Sequence, residues 1–301
     1  MVVMIQTNNL TKRFAQDSVI QNVTMTIQKG EIYGFLGPNG AGKTTVMKML
    51  LNLLKPTSGE IYIQGQPIQL TSYNYLKNIG NLIEYPIFYE DQSAKKNLEL
   101  HCMYMGGQHL DNIPHVLALV GLKEVGNKKV KSFSLGMRQR LAIAKAIVTK
   151  PEILILDEPI NGLDPIGIKE TRELLLQLKQ QGMTILISSH IVAEIESIAD
   201  TIGILKDGQL IEEVSRKALR EKTSTSLEIV VSDVNRAKQL LENAFSLSIH
   251  SQDDTLYIEH FSGKPSIIVK FLVQHNIDVE KVETYHQSLE QYFVHRIEGG
   301  F

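Results

Sequence analysis

Apolar residues fall along this chain in short blocks that switch between two periods. Residues 32–36 (Ile-Tyr-Gly-Phe-Leu), 153–156 (Ile-Leu-Ile-Leu) and 184–188 (Thr-Ile-Leu-Ile-Ser) are near-continuous apolar runs of strand length, each followed by helical spacing. Strands that alternate with helices and end in polar residues predict an α/β core whose parallel sheet binds ligand at its carboxyl edge. Residues 5–10 and 23–27 alternate like strands of an antiparallel layer, and 59–65 reads as another strand bounded by glycines. Residues 94–122 and 134–149 follow the helical period, which predicts a helical insertion over about 85–150. After the polar run 221–226, read as a linker, the pattern changes. There 227–231, 247–250, 255–259 and 277–283 read as strands, and 234–244 and 265–274 as helices. That βαββαβ order is ferredoxin-like, and a terminal helix is expected over 288–297. The division expected is therefore 1–221 and 226–301.

The 301 residues, 43% hydrophobic and 21% charged, suit a globular protein of one large or two unequal domains. No apolar run reaches the roughly 18 residues of a membrane span, and the N-terminal residues lack a basic start followed by an apolar region, so a cytoplasmic chain is expected. A single cysteine, Cys102, excludes an internal disulfide and a thiolate zinc cluster, and reads as a small apolar residue. Net charge is −2, but residues 222–301 carry 7 basic against 11 acidic side chains. An acidic appendage without clustered Lys and Arg argues against nucleic acid as a partner.

Between the 32–36 strand and a helical pattern over 45–54 lies Gly37-Pro38-Asn39-Gly40-Ala41-Gly42-Lys43-Thr44-Thr45, which satisfies GxxxxGK[ST] in the required strand and helix context. Its glycines let backbone amides turn onto phosphate oxygens, and the helix N-terminus adds partial positive charge. Lys43 is expected to reach the β- and γ-phosphates and the Thr44 hydroxyl to bind Mg²⁺. Asp157 and Glu158, at the end of the 153–156 strand, form a carboxylate pair with separate tasks in nucleotide hydrolysis. Asp157 organises Mg²⁺ and Glu158 polarises the attacking water. His190, at the next strand's end, is placed to bond the γ-phosphate, although a histidine taken alone is more often structural.

With these residues assembled, residues 4–221 resemble the nucleotide-binding subunit of an ATP-binding cassette transporter. The resemblance rests on GPNGAGKTT, on ILILDEP, and on Phe133-Ser-Leu-Gly-Met-Arg-Gln-Arg140 in the place of the family signature. It also includes Asn161-Gly-Leu-Asp164 as the D-loop, with Asp164 in the nucleotide site, and His190 as the switch histidine. It implies a P-loop NTPase core with a RecA-like parallel sheet, an antiparallel β layer and a helical subdomain, plus the small α+β ferredoxin-like domain. It implies ATP and Mg²⁺ as cofactors, and a head-to-tail dimer with a second copy or a related cassette. Each ATP then lies between one phosphate loop and the partner's Ser134 and Gly136. Phe14 lies where an aromatic ring stacks on adenine in this family; the alternative is a strand-end core residue.

Two departures from the family pattern stand out. Phe133, Leu135 and Met137 replace Leu, Gly and Gln of the usual LSGGQ. Glu84 stands where the family usually carries a metal-sensing glutamine, and as an oxygen donor it is assigned to the metal with Thr44 and Asp157. The glutamate and SLGMRQRL resemble the bacitracin-resistance and lantibiotic-immunity group, which implies export of antimicrobial peptides. An integral membrane permease is then the partner, and the chain is peripheral on the inner face of the cell membrane. Glu84, Tyr85, Pro86, Phe88 and Tyr89 form the expected docking surface, with simple packing of Phe88 and Tyr89 as the alternative. The other class is a soluble cassette ATPase or a regulatory nucleotide switch. One cassette per chain, no sustained heptads between Thr45 and Ser134, and the retained Glu158 weigh against it.

Overall fold

The computed structural model describes residues 2–15, 17–69, 71–222, 225–245, 247, 249–258, 261, 263–286 and 293. In chain order the elements are β1 (Val3–Phe14), β2 (Asp17–Gln28), β3 (Ile32–Leu36), α1 (Lys43–Leu50), β4 (Ser58–Ile63), β5 (Gln66–Pro67), β6 (Ile79–Leu82), α2 (Ala94–Tyr104) and α3 (Ile113–Leu119). Then follow α4 (Leu135–Ile147), β7 (Ile153–Leu156), α5 (Pro165–Gln180), β8 (Thr184–Ser189), α6 (Val192–Ile198), β9 (Thr201–Lys206), β10 (Gln209–Ser215) and α7 (Arg216–Lys222). The last are β11 (Thr225–Val231), α8 (Val234–Phe245), β12 (Ile249–Gln252), β13 (Thr255–Ile258), α9 (Pro265–Gln274) and β14 (Val279–His286). The chain divides into two compact units, 1–216 and 217–301.

In the first unit, a six-stranded sheet runs in the order β10-β9-β3-β8-β7-β6. All its pairings are parallel except the edge hairpin β9–β10. β3, β7 and β8 are buried at every position, which is why their sequences are mainly apolar runs rather than alternations. An antiparallel sheet, β2-β1-β4-β5, forms the second layer, and its alternating pattern reflects one covered face. Between the layers, Val46, Met47, Met49 and Leu50 of α1 join one core with Ile5, Val23, Tyr33 and Phe35. Packing the phosphate-loop helix between two sheets fixes its N-terminus at the carboxyl edge of the parallel sheet.

The second unit is a four-stranded antiparallel sheet in the order β12-β13-β11-β14 with α8 and α9. Its own core includes Leu227, Ile229, Leu241, Leu256, Ile268 and Leu272. The βαββαβ order is as expected, but the two edge strands shift: β12 begins at Ile249 and β14 at Val279, each two residues late. Part of the run read as a linker is helical, since α7 continues to Lys222. The terminal helix expected over 288–297 lies outside the described residues apart from Phe293.

The helical insertion is also more broken than its pattern implied. Left-handed backbone at Gly106, Gly107 and His109 separates α2 from α3, so 94–122 is not one continuous helix. No helix among the described residues is long and apolar enough to cross a membrane.

Candidate nucleotide site

Four neighbouring strands deliver the site. The phosphate loop follows β3, His190 follows β8, Asp157 and Glu158 follow β7, and Glu84 lies two residues beyond β6. These strands are consecutive in the sheet order β3-β8-β7-β6, so residues far apart in sequence converge at one carboxyl edge.

The loop geometry needs its glycines. Gly42 is the N-cap of α1 at φ 104, and a Cβ there would lie 2.4 Å from Ile20 Cδ1. A Cβ on Gly37 would lie 2.3 Å from the Leu205 carbonyl oxygen. Pro38, Asn39 and Gly40 are exposed, whereas Gly37, Ala41 and Lys43 are buried and Thr44 and Thr45 half-buried. A cavity of about 200 Å³ is lined by residues 39–45 with Val19 and Glu158. A larger cavity of about 450 Å³ sits among Lys29, Pro151, Glu152 and Met183, at the amino ends of β3, β7 and β8, and holds none of these groups.

Two hydrogen-bonded chains cross at this cavity. Lys43 Nζ donates to the carbonyl oxygens of Gly37 (2.7 Å) and Pro38 (3.2 Å) and lies 3.3 Å from Glu158 Oε1. The other Glu158 oxygen, Oε2, is 2.9 Å from His190 Nδ1. In the second chain, Thr44 Oγ1 donates to Asp157 Oδ2 (2.7 Å) and Ser188 Oγ donates to Asp157 Oδ1 (2.6 Å). The Ser188 hydroxyl also accepts from the Glu158 backbone N–H at 2.8 Å. Glu158 itself holds φ 46, an unfavourable backbone for a residue with a side chain, kept in place by these contacts.

Ser188 was not among the residues picked from sequence. Its signal was weak, being one of two serines at the end of an apolar run, and only the β7–β8 pairing brings it onto Asp157. Next to it, the Ser189 hydroxyl donates to Glu194 Oε2 at 3.2 Å. Burial pushes the Glu194 carboxyl up, and the nearby Glu158 charge adds to this, while the Ser189 bond and His190 oppose it.

The set fits a hard cation bound mainly through phosphate. The paired oxygens Thr44 Oγ1 and Asp157 Oδ2 suit Mg²⁺, and among the described residues no cluster of three or more acidic, His or Cys groups could hold a metal unaided. Glu84 is paired with a lysine instead. It sits at φ 61 with its carboxylate on Lys48 of α1, so its assignment to the metal has no contact here in its favour.

The remaining predicted residues lie away from this pair. Phe14 is 47% exposed with Lys12 Nζ 4.9 Å above its ring, so it is not a core residue. Ser134 caps α4, its Oγ accepting from Met137 N at 3.3 Å, and Gly136 lies in that helix's first turn. Asp164 caps α5, accepting from Gly167 N at 2.8 Å. On the surface expected to dock a partner, Tyr85 is 89% exposed and Phe88 half-buried, while the Tyr89 hydroxyl meets that of Tyr104 at 3.2 Å. Ile87, 85% exposed, belongs to this surface although its sequence context did not single it out.

Comparison with known proteins gives a consistent picture. The sequence pattern of the ABC transporter family matches residues 20–161. The chain is 51% identical over 302 residues to the uncharacterized ABC transporter ATP-binding protein YcbN of Bacillus subtilis, covering 99% of this chain and 98% of that one. It is 43% identical to the bacitracin transport ATP-binding protein BcrA of Bacillus licheniformis, covering 100% and 99%. The dimeric structure of the bacterial ABC transporter cassette MJ0796 superposes with a TM-score of 0.64 at 26% identity, covering 71% of this chain and 99% of that one.

Proposed function

We propose that this chain, which belongs to the ABC transporter family and is its ATP-binding, ATP-hydrolysing subunit, works as one of a pair that closes on MgATP and drives a membrane-spanning permease. The observation that carries the reading is the convergence of Lys43, Glu158 and His190 beside the phosphate loop. In this arrangement Lys43 is held by two carbonyls and by Glu158, all of them oxygen acceptors. Triphosphate oxygens offer the same kind of partner, so ATP would draw Lys43 onto its β- and γ-phosphates and leave the Glu158 carboxylate free.

Glu158 then accepts a proton from the attacking water as that water's oxygen bonds to the γ-phosphorus. The bond from that phosphorus to the bridging oxygen breaks, and ADP departs. His190, tethered by Nδ1 to Glu158, holds the carboxylate in orientation and faces the same phosphate. Thr44 and Asp157 are the groups that would hold Mg²⁺, which when bound offsets the charge on the phosphate oxygens. Ser188 keeps Asp157 aimed while anchoring the Glu158 backbone.

Ser134 and Gly136, at the start of α4, serve a second copy of the chain in this reading, facing the phosphate held in the partner's loop. That the similar cassette MJ0796 is dimeric supports a pair of copies. Phe14, half-exposed, stacks on adenine. Permease docking at Tyr85, Ile87 and Tyr89 places the chain on the inner face of the cell membrane, and likeness to BcrA along the whole chain supports export of a bacitracin-type antimicrobial peptide. The test is recovery from native membranes of the Glu158→Gln chain with MgATP. Co-purification of a multi-span protein, weakened by Tyr85→Ala, is expected, whereas recovery of ribosomes or other soluble partners alone contradicts the transport role.

A further inference from the structure

Helices α4 and α5 start at the two loops that flank the nucleotide in the proposed dimer, and both are capped by their own side chains, Ser134 and Asp164. Six residues beyond each cap, Arg140 Nη1 and Glu170 Oε2 meet at 3.0 Å. With a rise of about 1.5 Å per residue, each partner lies about 9 Å from its cap, so the ion pair ties the helices with their N-termini level. At that end the Leu135 side chain covers Gly162, where a Cβ would lie 3.2 Å from Leu135 Cδ2. Gly162 has φ 75, so the D-loop presents a bare backbone to this leucine. The D-loop in turn hangs from Glu158, since Asn161 N donates to the Glu158 carbonyl at 3.2 Å.

The ion pair is a poor device for stability alone. Arg140 Nε is buried with no acceptor, while the pair itself is part-exposed, with the Arg140 side chain 22% and the Glu170 side chain 46% accessible, so it adds little to stability. A cavity of about 210 Å³ opens beside the pair, lined by Glu173 and Gln177 among others, and gives the guanidinium room to shift along α5. We infer that Arg140 and Glu170 are positioning residues that hold the signature helix against the D-loop, so that each protomer's Glu158 site is tied to the phosphate it grips for its partner. Leu135, in place of the usual glycine, is the second point of attachment. This assignment rests on the head-to-tail pair proposed above.

The test uses the full chain carrying Glu158→Gln, with sedimentation at increasing MgATP to find the ATP concentration that half-dimerises it. Arg140→Met and Glu170→Gln should each raise that concentration about tenfold, the size of one broken network contact. Fluorescent-ATP affinity of the dilute monomer and the melting temperature should stay within about twofold and a few degrees. The swapped pair Arg140→Glu with Glu170→Arg should restore dimerisation to within about threefold of the parent. If Arg140→Met does not fold, the near-isosteric Glu170→Gln and the swapped pair carry the test. Equal dimerisation in parent and single variants, or a swapped pair no better than the singles, overturns the assignment. A parent that binds ATP and stays monomeric overturns both this and the proposed dimer.

Discussion

Glu158 shares one carboxylate between Lys43 and His190, and in the proposed cycle this sharing is what would make the site respond to a phosphate. A lysine held only by carbonyls would have no reason to release a base when ATP arrives. Ser188 carries a comparable double duty, so Ser188→Ala leaves the Glu158 amide without its acceptor and Asp157 Oδ1 without its donor, with only Thr44 still donating to the other oxygen. A loss of about 1–3 kcal/mol in stability and a fall in turnover are expected, read by urea unfolding and phosphate release. Phe14 gives a cleaner case, because its exposure separates binding from packing. Phe14→Ala should raise the KM for ATP about tenfold, as loss of base stacking does, with the melting temperature nearly unchanged. The phosphate loop and Asp157–Glu158 were legible in sequence because each ends an apolar run. Ser188 was not, since its role depends on which strand lies beside it.

At the scale of elements, buried strands were read almost to the residue: β3 and β7 coincide with their apolar runs. Helix ends were less legible. α1 starts at Lys43, earlier than the apolar spacing implied, because Gly42 supplies the cap; it stops at Leu50, and Asn52 two residues on takes φ 54. Four strands of the first unit, β5, β6, β9 and β10, escaped notice altogether. β6 contains Gly80 and Asn81, weak strand formers, and that glycine is required because a Cβ would lie 2.1 Å from the Ala146 carbonyl oxygen. The β9–β10 hairpin was signalled by Asp207-Gly208 at its turn, both left-handed, and this Asp-Gly pair went unread.

The packing of α2 near α4 carries a pH prediction. Burial, with the Lys145 charge adding, pushes His101 from 6.5 down to about 4. Between those values the unfolded chain takes up a proton that the folded chain refuses, so stability falls as pH drops from 6.5 toward 4 and levels off below it. His101→Gln should flatten that slope in urea unfolding followed across the same window.

For the whole molecule, two separate cores set the terms. Leu241 is fully buried in the second, so Leu241→Ala should cost that unit about 2–5 kcal/mol while the ATP affinity of the first stays within about twofold. Limited proteolysis compared with nucleotide binding separates the two effects. The βαββαβ order was readable because strand and helix periods alternate cleanly there, but its task was not, since no chemical motif accompanies it. The first unit differs because its chemistry converges on one sheet edge, where Glu158 is proposed to turn bound ATP over. The most direct measurement is phosphate release by purified wild type and Glu158→Gln under saturating MgATP. The wild type should turn over repeatedly, and the variant should bind ATP undiminished with release slowed at least about 100-fold. Equal release from the two proteins would contradict that role for Glu158.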